Sequence, residues 1–214
     1  MGTQATACFY EMLHSLQNVG TEQGYLDILL YSKPSIPDRT AYITGQSSDS
    51  PLVPLIQAAQ TLESGGASCI AIPCATSHFF YDDISQAVNV PIINMLDETV
   101  RCAAEQGARK ICLLATDGTL KSGIFHKAFE KHGIAVIAPP EDAQANLMDM
   151  IYDIKLGIAA ESEKLDSIVY ELLRNGVDAV VLGCTELCIT TKRTSNAINT
   201  LEVLANASLS FCKT

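Results

Sequence analysis

Two stretches of this chain repeat one pattern. Residues 62–76 (LESGGASCIAIPCAT) lie over residues 172–186 (LLRNGVDAVVLGCTE), with a leucine late in a helical run, a glycine four residues on, an apolar strand and then a cysteine, so that Cys74 falls on Cys184. A glycine so placed ends a helix, and the strand after it carries the cysteine to its C-terminal edge. That edge is where open α/β sheets build their sites. The repeat therefore predicts two similar α/β halves related by a pseudo-twofold axis, with a cleft between them and one thiol on each wall.

The rest of the chain alternates in the same way. Short apolar runs rich in branched residues predict strands at 25–31, 69–73, 91–95, 110–115, 134–138 and 179–183. Between them, helical periodicity covers 4–16, 51–64, 81–88, 97–106, 120–131, 146–156, 161–175 and 201–212. Strand and helix in alternation mean an α/β fold with mainly parallel sheets. Residues 32–50 are the one long, turn-rich loop, and loops of that length tend to carry function. The expected division is 1–98 plus 206–214 for one half and 99–205 for the other. The later half opens with strand 110–115, which runs into Thr116-Asp117-Gly118-Thr119 and a helix. The earlier half enters a helix directly after Met1-Gly2-Thr3, so its corresponding first strand is expected upstream of residue 1.

Composition narrows the function. With 214 residues and 48% hydrophobic content, either half has enough apolar side chains for a core. A net charge of -10, with no basic cluster longer than Lys192-Arg193, argues against nucleic acid as a partner. No stretch approaches the roughly 18 consecutive apolar residues of a membrane span, and no basic segment followed by an apolar core opens the chain, so a cytoplasmic setting is expected. In that setting the eight cysteines are expected to be reduced thiols, with Cys69, Cys102 and Cys112 acting as small hydrophobes. His14, His126 and His132 fall in helical segments and are expected to be structural or solvent-facing.

Two opposed thiols suit one reaction in particular. Racemising an amino acid requires removal of the Cα proton from one face and delivery of another to the opposite face, which two groups on opposite walls accomplish. A nearby positive charge or helix N-terminus shifts a thiol enough to give thiolate on one side and thiol on the other. A zinc site using Cys184, Cys188 and either Cys74 or His78 is the competing reading, but its spacing lacks the usual close cysteine pairs.

Three segments, Ile72-Pro73-Cys74-Ala75-Thr76-Ser77-His78, Leu182-Gly183-Cys184-Thr185-Glu186-Leu187 and Ile36-Pro37-Asp38-Arg39-Thr40, together resemble the aspartate/glutamate racemase family. The resemblance spans nearly the whole chain. It implies two Rossmann-like domains, Cys74 and Cys184 as the proton-transfer pair, no pyridoxal phosphate and no metal, an acidic amino acid as substrate, with aspartate favoured and glutamate next, and a homodimer. By position it implies that Thr76, Ser77 and Thr185 hold the α-carboxylate, that Arg39 and Lys155 hold the distal carboxylate, and that His78 and Glu186 support the cysteines. Arg39 has a bland alternative, an ion pair with Asp38, and Lys155 could be a solvated helix residue. Where most members carry Asn after the first cysteine, this chain has Ala75. On the same scaffold, resemblance also admits maleate isomerases, arylmalonate decarboxylases and a silent ligand-binding homologue.

Overall fold

The computed structural model describes residues 2–158, 162–190 and 197–213, which form two unequal parallel sheets. The first half runs through α1 (Thr3–Leu16), α2 (Arg39–Thr44), α3 (Leu52–Ser64), β1 (Ile70–Ala71), α4 (Tyr81–Gln86), β2 (Ile92–Ile93) and α5 (Met95–Glu105). The second follows with β3 (Lys110–Leu114), α6 (Asp117–Ser122), α7 (Ile124–Glu130), β4 (Ala135–Ile137), α8 (Glu141–Lys155), α9 (Ser162–Arg174), β5 (Ala179–Leu182), α10 (Thr185–Cys188), β6 (Ala197–Asn199) and α11 (Thr200–Cys212). β1 pairs with β2, and the larger sheet has the order β4-β3-β5-β6, every pair parallel. This is the α/β class expected from the alternation, in two Rossmann-like halves. Glu161, expected in the helix before β5, lies outside the described residues.

The repeat survives in three dimensions and reaches further than its sequence. Gly66 and Gly176, at φ 93° and 87°, follow α3 and α9, where a residue with a Cβ would be strained. Beyond the cysteines, Asn94 caps α5 by accepting from Leu96 N and Asp97 N, and Asn199 caps α11 by accepting from Leu201 N and Glu202 N. Each asparagine ends a strand and starts a helix, so β2-α5 and β6-α11 are the same unit used twice. These two helices pack on one another, and α1 packs on α11. The expected boundaries at 98/99 and 205/206 therefore fall inside two helices that themselves join the halves.

One continuous core surrounds the larger sheet. The central strands β3 and β5 are buried from Ile111 to Leu114 and from Ala179 to Leu182 and share one cluster with Phe125, Leu147, Val169 and Leu204. A smaller core gathers Ile36, Leu55, Ile70, Ile84 and Ile92 under the first sheet.

Three local expectations change. Residues 25–31 are not a strand: Ile28, Leu29, Leu30 and Tyr31 are exposed, and among the described residues no strand pairs with this segment or with the outer edge of β1. A β-prone run without a partner has no ladder to join. The helix expected at 120–131 breaks at Gly123, φ 66°, into α6 and α7. The long loop contains α2, which Asp38 caps through Ala41 N and which Gly45 ends at φ 81°. Helix α2 lies so close to α6 that a Cβ at Gly118 would sit 2.7 Å from Thr40 Cα. That contact ties the loop of one half to the first helix of the other.

Candidate active site

Cys74 and Cys184 end the extended segments after β1 and β5, in β conformation, each directly before a short helical turn. Both are buried, and both line one pocket between the halves. The same pocket takes Arg39 and Thr40 from α2, Ala75 and Thr76 after Cys74, Thr116, Lys155, and Thr185 and Glu186 after Cys184. The topology explains the convergence: the C-terminal ends of two parallel sheets face one another, and the loops after their strands meet there.

The two thiols have different neighbours. The Cys184 thiol donates to Glu186 Oε2 at 3.1 Å, and the Thr185 hydroxyl donates to the same oxygen at 3.2 Å. Burial, then the Glu186 carboxylate, pushes the Cys184 thiol well above its ordinary range, against the opposing pull of Lys155. Cys74 instead faces a guanidinium. Arg39 is buried, with Nη1 donating to Ile36 O at 3.3 Å and Pro37 O at 3.0 Å, while its Nε has no partner. Burial opposes the Arg39 charge, but Cys74, Asp38 and Glu186 around it outweigh that effect and raise its pKa.

Lys155, the last residue of α8, is half-buried and paired. Its ammonium lies 3.7 Å from Asp38 Oδ2 and 4.4 Å from the centroid of the Tyr152 ring, one helical turn back. The Tyr152 hydroxyl donates to Asp38 Oδ2 at 3.4 Å. Burial works against the Lys155 charge, yet the neighbouring Cys184, Glu186 and Asp38 raise its pKa overall. Asp38 is thus both the cap of α2 and the counter-ion of a cation from the other half. Burial alone would raise its pKa, but backbone bonding and Lys155 hold it below the usual carboxylate value.

On the Cys74 side, Thr76 joins a buried hydroxyl triad with Thr119 at 2.8 Å and Thr116 at 3.2 Å. Its hydroxyl therefore stitches the halves together as well as facing the pocket. Ser77 and His78 are buried and do not line the pocket. His78 is clamped by backbone: Met95 N donates to Nε2 at 3.1 Å, so the ring proton sits on Nδ1, which donates to Cys74 O at 3.0 Å. Burial lowers its pKa and keeps it neutral. Among the described residues no set of three His, Cys, Asp or Glu side chains converges as metal ligands would.

The profile of the Asp/Glu/hydantoin racemase family matches residues 1–207. This chain belongs to that family. A broad specificity amino-acid racemase of Bacillus subtilis (strain 168) is 28% identical over 194 residues, 87% of this racemase-family chain and 82% of the relative. The solved aspartate racemase of Picrophilus torridus superposes with a TM-score of 0.87 at 27% identity, covering 99% of this chain and 90% of that one. An aspartate racemase homologue from Pyrococcus horikoshii OT3 shares the fold at a TM-score of 0.78 and 24% identity, covering 99% and 95%. These relatives are amino-acid racemases or their homologues, and amino-acid racemases are isomerases.

Within this racemase-family chain, sequence reading missed two pocket groups, Asp38 and Thr116, and Tyr152, which bonds Asp38 from beside the pocket. Asp38 and Tyr152 carried signals, a cap position before a helix and a place one turn before Lys155. Thr116 carried the same kind of signal, as the cap of α6 accepting from Thr119 N at 3.2 Å.

Proposed function

We propose that the chain racemises an acidic amino acid, aspartate first and glutamate next, by proton transfer at Cα between Cys74 and Cys184 with no bound cofactor. The observation that carries this reading is that two thiols from different sheets line one small pocket together with two cations, Arg39 and Lys155. Two cations in one pocket of an acidic chain suit a dicarboxylate.

The unequal settings of the thiols give the reaction a starting state. Arg39 stands beside Cys74, while Glu186 favours thiol at Cys184. The Cys74 thiolate takes the Cα proton, and the electron pair left behind delocalises into the α-carboxylate. The Cys184 thiol then delivers its proton to the opposite face, and Lys155 lies beside the thiolate it leaves. Thr185 and the backbone amides after each cysteine, with Thr76, hold the α-carboxylate, while Arg39 and Lys155 hold the distal one. With Ala75 in place of an amide side chain, substrate binding there falls to backbone groups. Ser77 and His78 act by packing and by holding the backbone of Cys74. A homodimer, a cytoplasmic setting and the division into 1–98 plus 206–214 and 99–205 complete the proposal.

Proton NMR of L-aspartate in deuterated water, with wild-type protein and no added cofactor, tests it. Loss of the Cα proton signal is expected, with Cys74→Ser and Cys184→Ser each slowing it by roughly 10²–10⁴-fold. Full racemisation by Cys184→Ser would refute the two-base mechanism. Two facing cations also fit maleate, so turnover of maleate without exchange of aspartate would assign isomerase chemistry instead. Thermal stabilisation by aspartate with neither reaction would assign a binding protein.

A further inference from the structure

Cys69 and Cys212 are 143 residues apart in sequence, yet their sulfurs lie 3.8 Å from one another. Cys69 stands just before β1, the strand that leads to Cys74, and Cys212 ends α11. Neither lines the pocket. The other thiols outside the site are placed differently: Cys8 is half-buried on α1 near Glu11, Cys112 is buried in the core, Cys188 bonds Leu182 O and Thr200, and Cys102 receives Gln106 Nε2. Cys212 is exposed and Cys69 half-buried, so this pair has both a sulfur partner in contact and access to a reagent.

We propose that Cys69 and Cys212 form a reversible disulfide with a low-molecular-weight disulfide such as oxidised glutathione as oxidant, latching β1 to α11. The bond needs sulfurs about 2.0 Å apart, and small side-chain rotations at a helix end and a strand entrance close the remaining gap. Burial, together with the hydrogen bond and charge of Cys212, pushes the Cys69 thiol up to about 11, and Cys212 is the exposed sulfur that an oxidant reaches first. The Cys212 thiolate attacks one sulfur of the oxidant, forming a mixed disulfide and expelling one glutathione thiolate. Cys69 then gives up its proton and attacks the Cys212 sulfur, forming the protein disulfide and expelling the second. The two protein thiols lose two electrons and two protons, and the oxidant becomes two glutathione thiols. The first attack sets the order and the second is slow at neutral pH, quickening as Cys69 ionises.

The latch would close a long loop, from the strand entering the Cys74 segment to the helix that packs on α1 and α5. Constraining the unfolded chain this way stabilises the fold. The test incubates the folded protein with oxidised glutathione in mildly alkaline buffer, then quenches, alkylates and maps peptides by mass. Expected are a Cys69–Cys212 linked peptide, a monomeric band on a non-reducing gel and a melting temperature higher by roughly 4–15 °C that dithiothreitol reverses. Cys212→Ser should lose the link and the rise while keeping wild-type Cα exchange. A stable glutathione adduct on Cys212 with no linked peptide, linkage through other cysteines, or a link without the thermal shift would each overturn the proposal. Because the readouts are mass and melting, they stand whether or not aspartate proves to be the substrate.

Discussion

Cys184 gives its thiol hydrogen to the Glu186 carboxylate across 3.1 Å, inside a buried turn. A negative charge at that distance disfavours the thiolate, so Glu186 holds Cys184 in its acid form. Glu186→Gln removes the charge and keeps the shape. The Cys184 pKa then falls, and the alkaline limb of the kcat/KM profile, which reports loss of the protonated acid, moves to lower pH. A profile unchanged on its alkaline side would remove Glu186 from this role.

Lys155 forms an ion pair with Asp38 across the cleft while facing Cys184 and Glu186. For Lys155→Met we expect kcat/KM for aspartate to fall about 10- to 100-fold, the weight of a hydrogen bond to a charged group, with a smaller loss for alanine. Stability should change little, since a partly exposed ion pair contributes at most about 1 kcal/mol. Steady-state kinetics with the two substrates and one thermal scan separate specificity from folding.

Gly118 has no room for a methyl group, because Thr40 backbone would stand 2.7 Å from it. Gly118→Ala must push α2 from α6, at a cost of about 1–3 kcal/mol. The melting temperature should drop by about 2–4 °C per kcal/mol in a chain of this size. Since α2 carries Arg39, KM should rise as well, measured in the same exchange assay.

His78 gives the fold an acid sensitivity. Its pKa in the folded chain is lowered by burial from an ordinary value near 6.5. The unfolded chain therefore binds the proton first, and the stability His78 contributes is complete above about pH 6.5 and is lost as pH falls towards the lowered folded value. Urea unfolding from pH 7.5 downward should show this slope, which His78→Gln should remove. His78→Ala, which leaves Met95 N and Cys74 O unpaired, should lose about 1–3 kcal/mol for each group at neutral pH.

Much of the architecture was legible locally. Hydrophobic alternation placed five of the six strands among the described residues, because β1 to β5 each carry an apolar run. β6 was missed, since only Ile198 of its three residues is buried and its signal is the Asn199 cap that follows. The run at 25–31 misled for the opposite reason: it has strand composition, and among the described residues no strand pairs with it. In the site, Cys74, Cys184, Arg39, Lys155, Thr76, Thr185 and Glu186 were all readable and all reach one pocket, whereas Ser77 and His78 sit behind it.

The sequence by itself determined that two strand-cysteine-helix units would present two thiols at equivalent sheet edges, because glycines, caps and apolar periodicity act within a few residues of one another. Only the tertiary structure decided what each thiol would feel. Glu186 beside Cys184, Arg39 beside Cys74, and Asp38 of one half holding Lys155 of the other depend on side-chain direction and on the exclusion of water. Charge, burial and hydrogen bonding set a pKa through space, and neighbours in space are chosen by the fold.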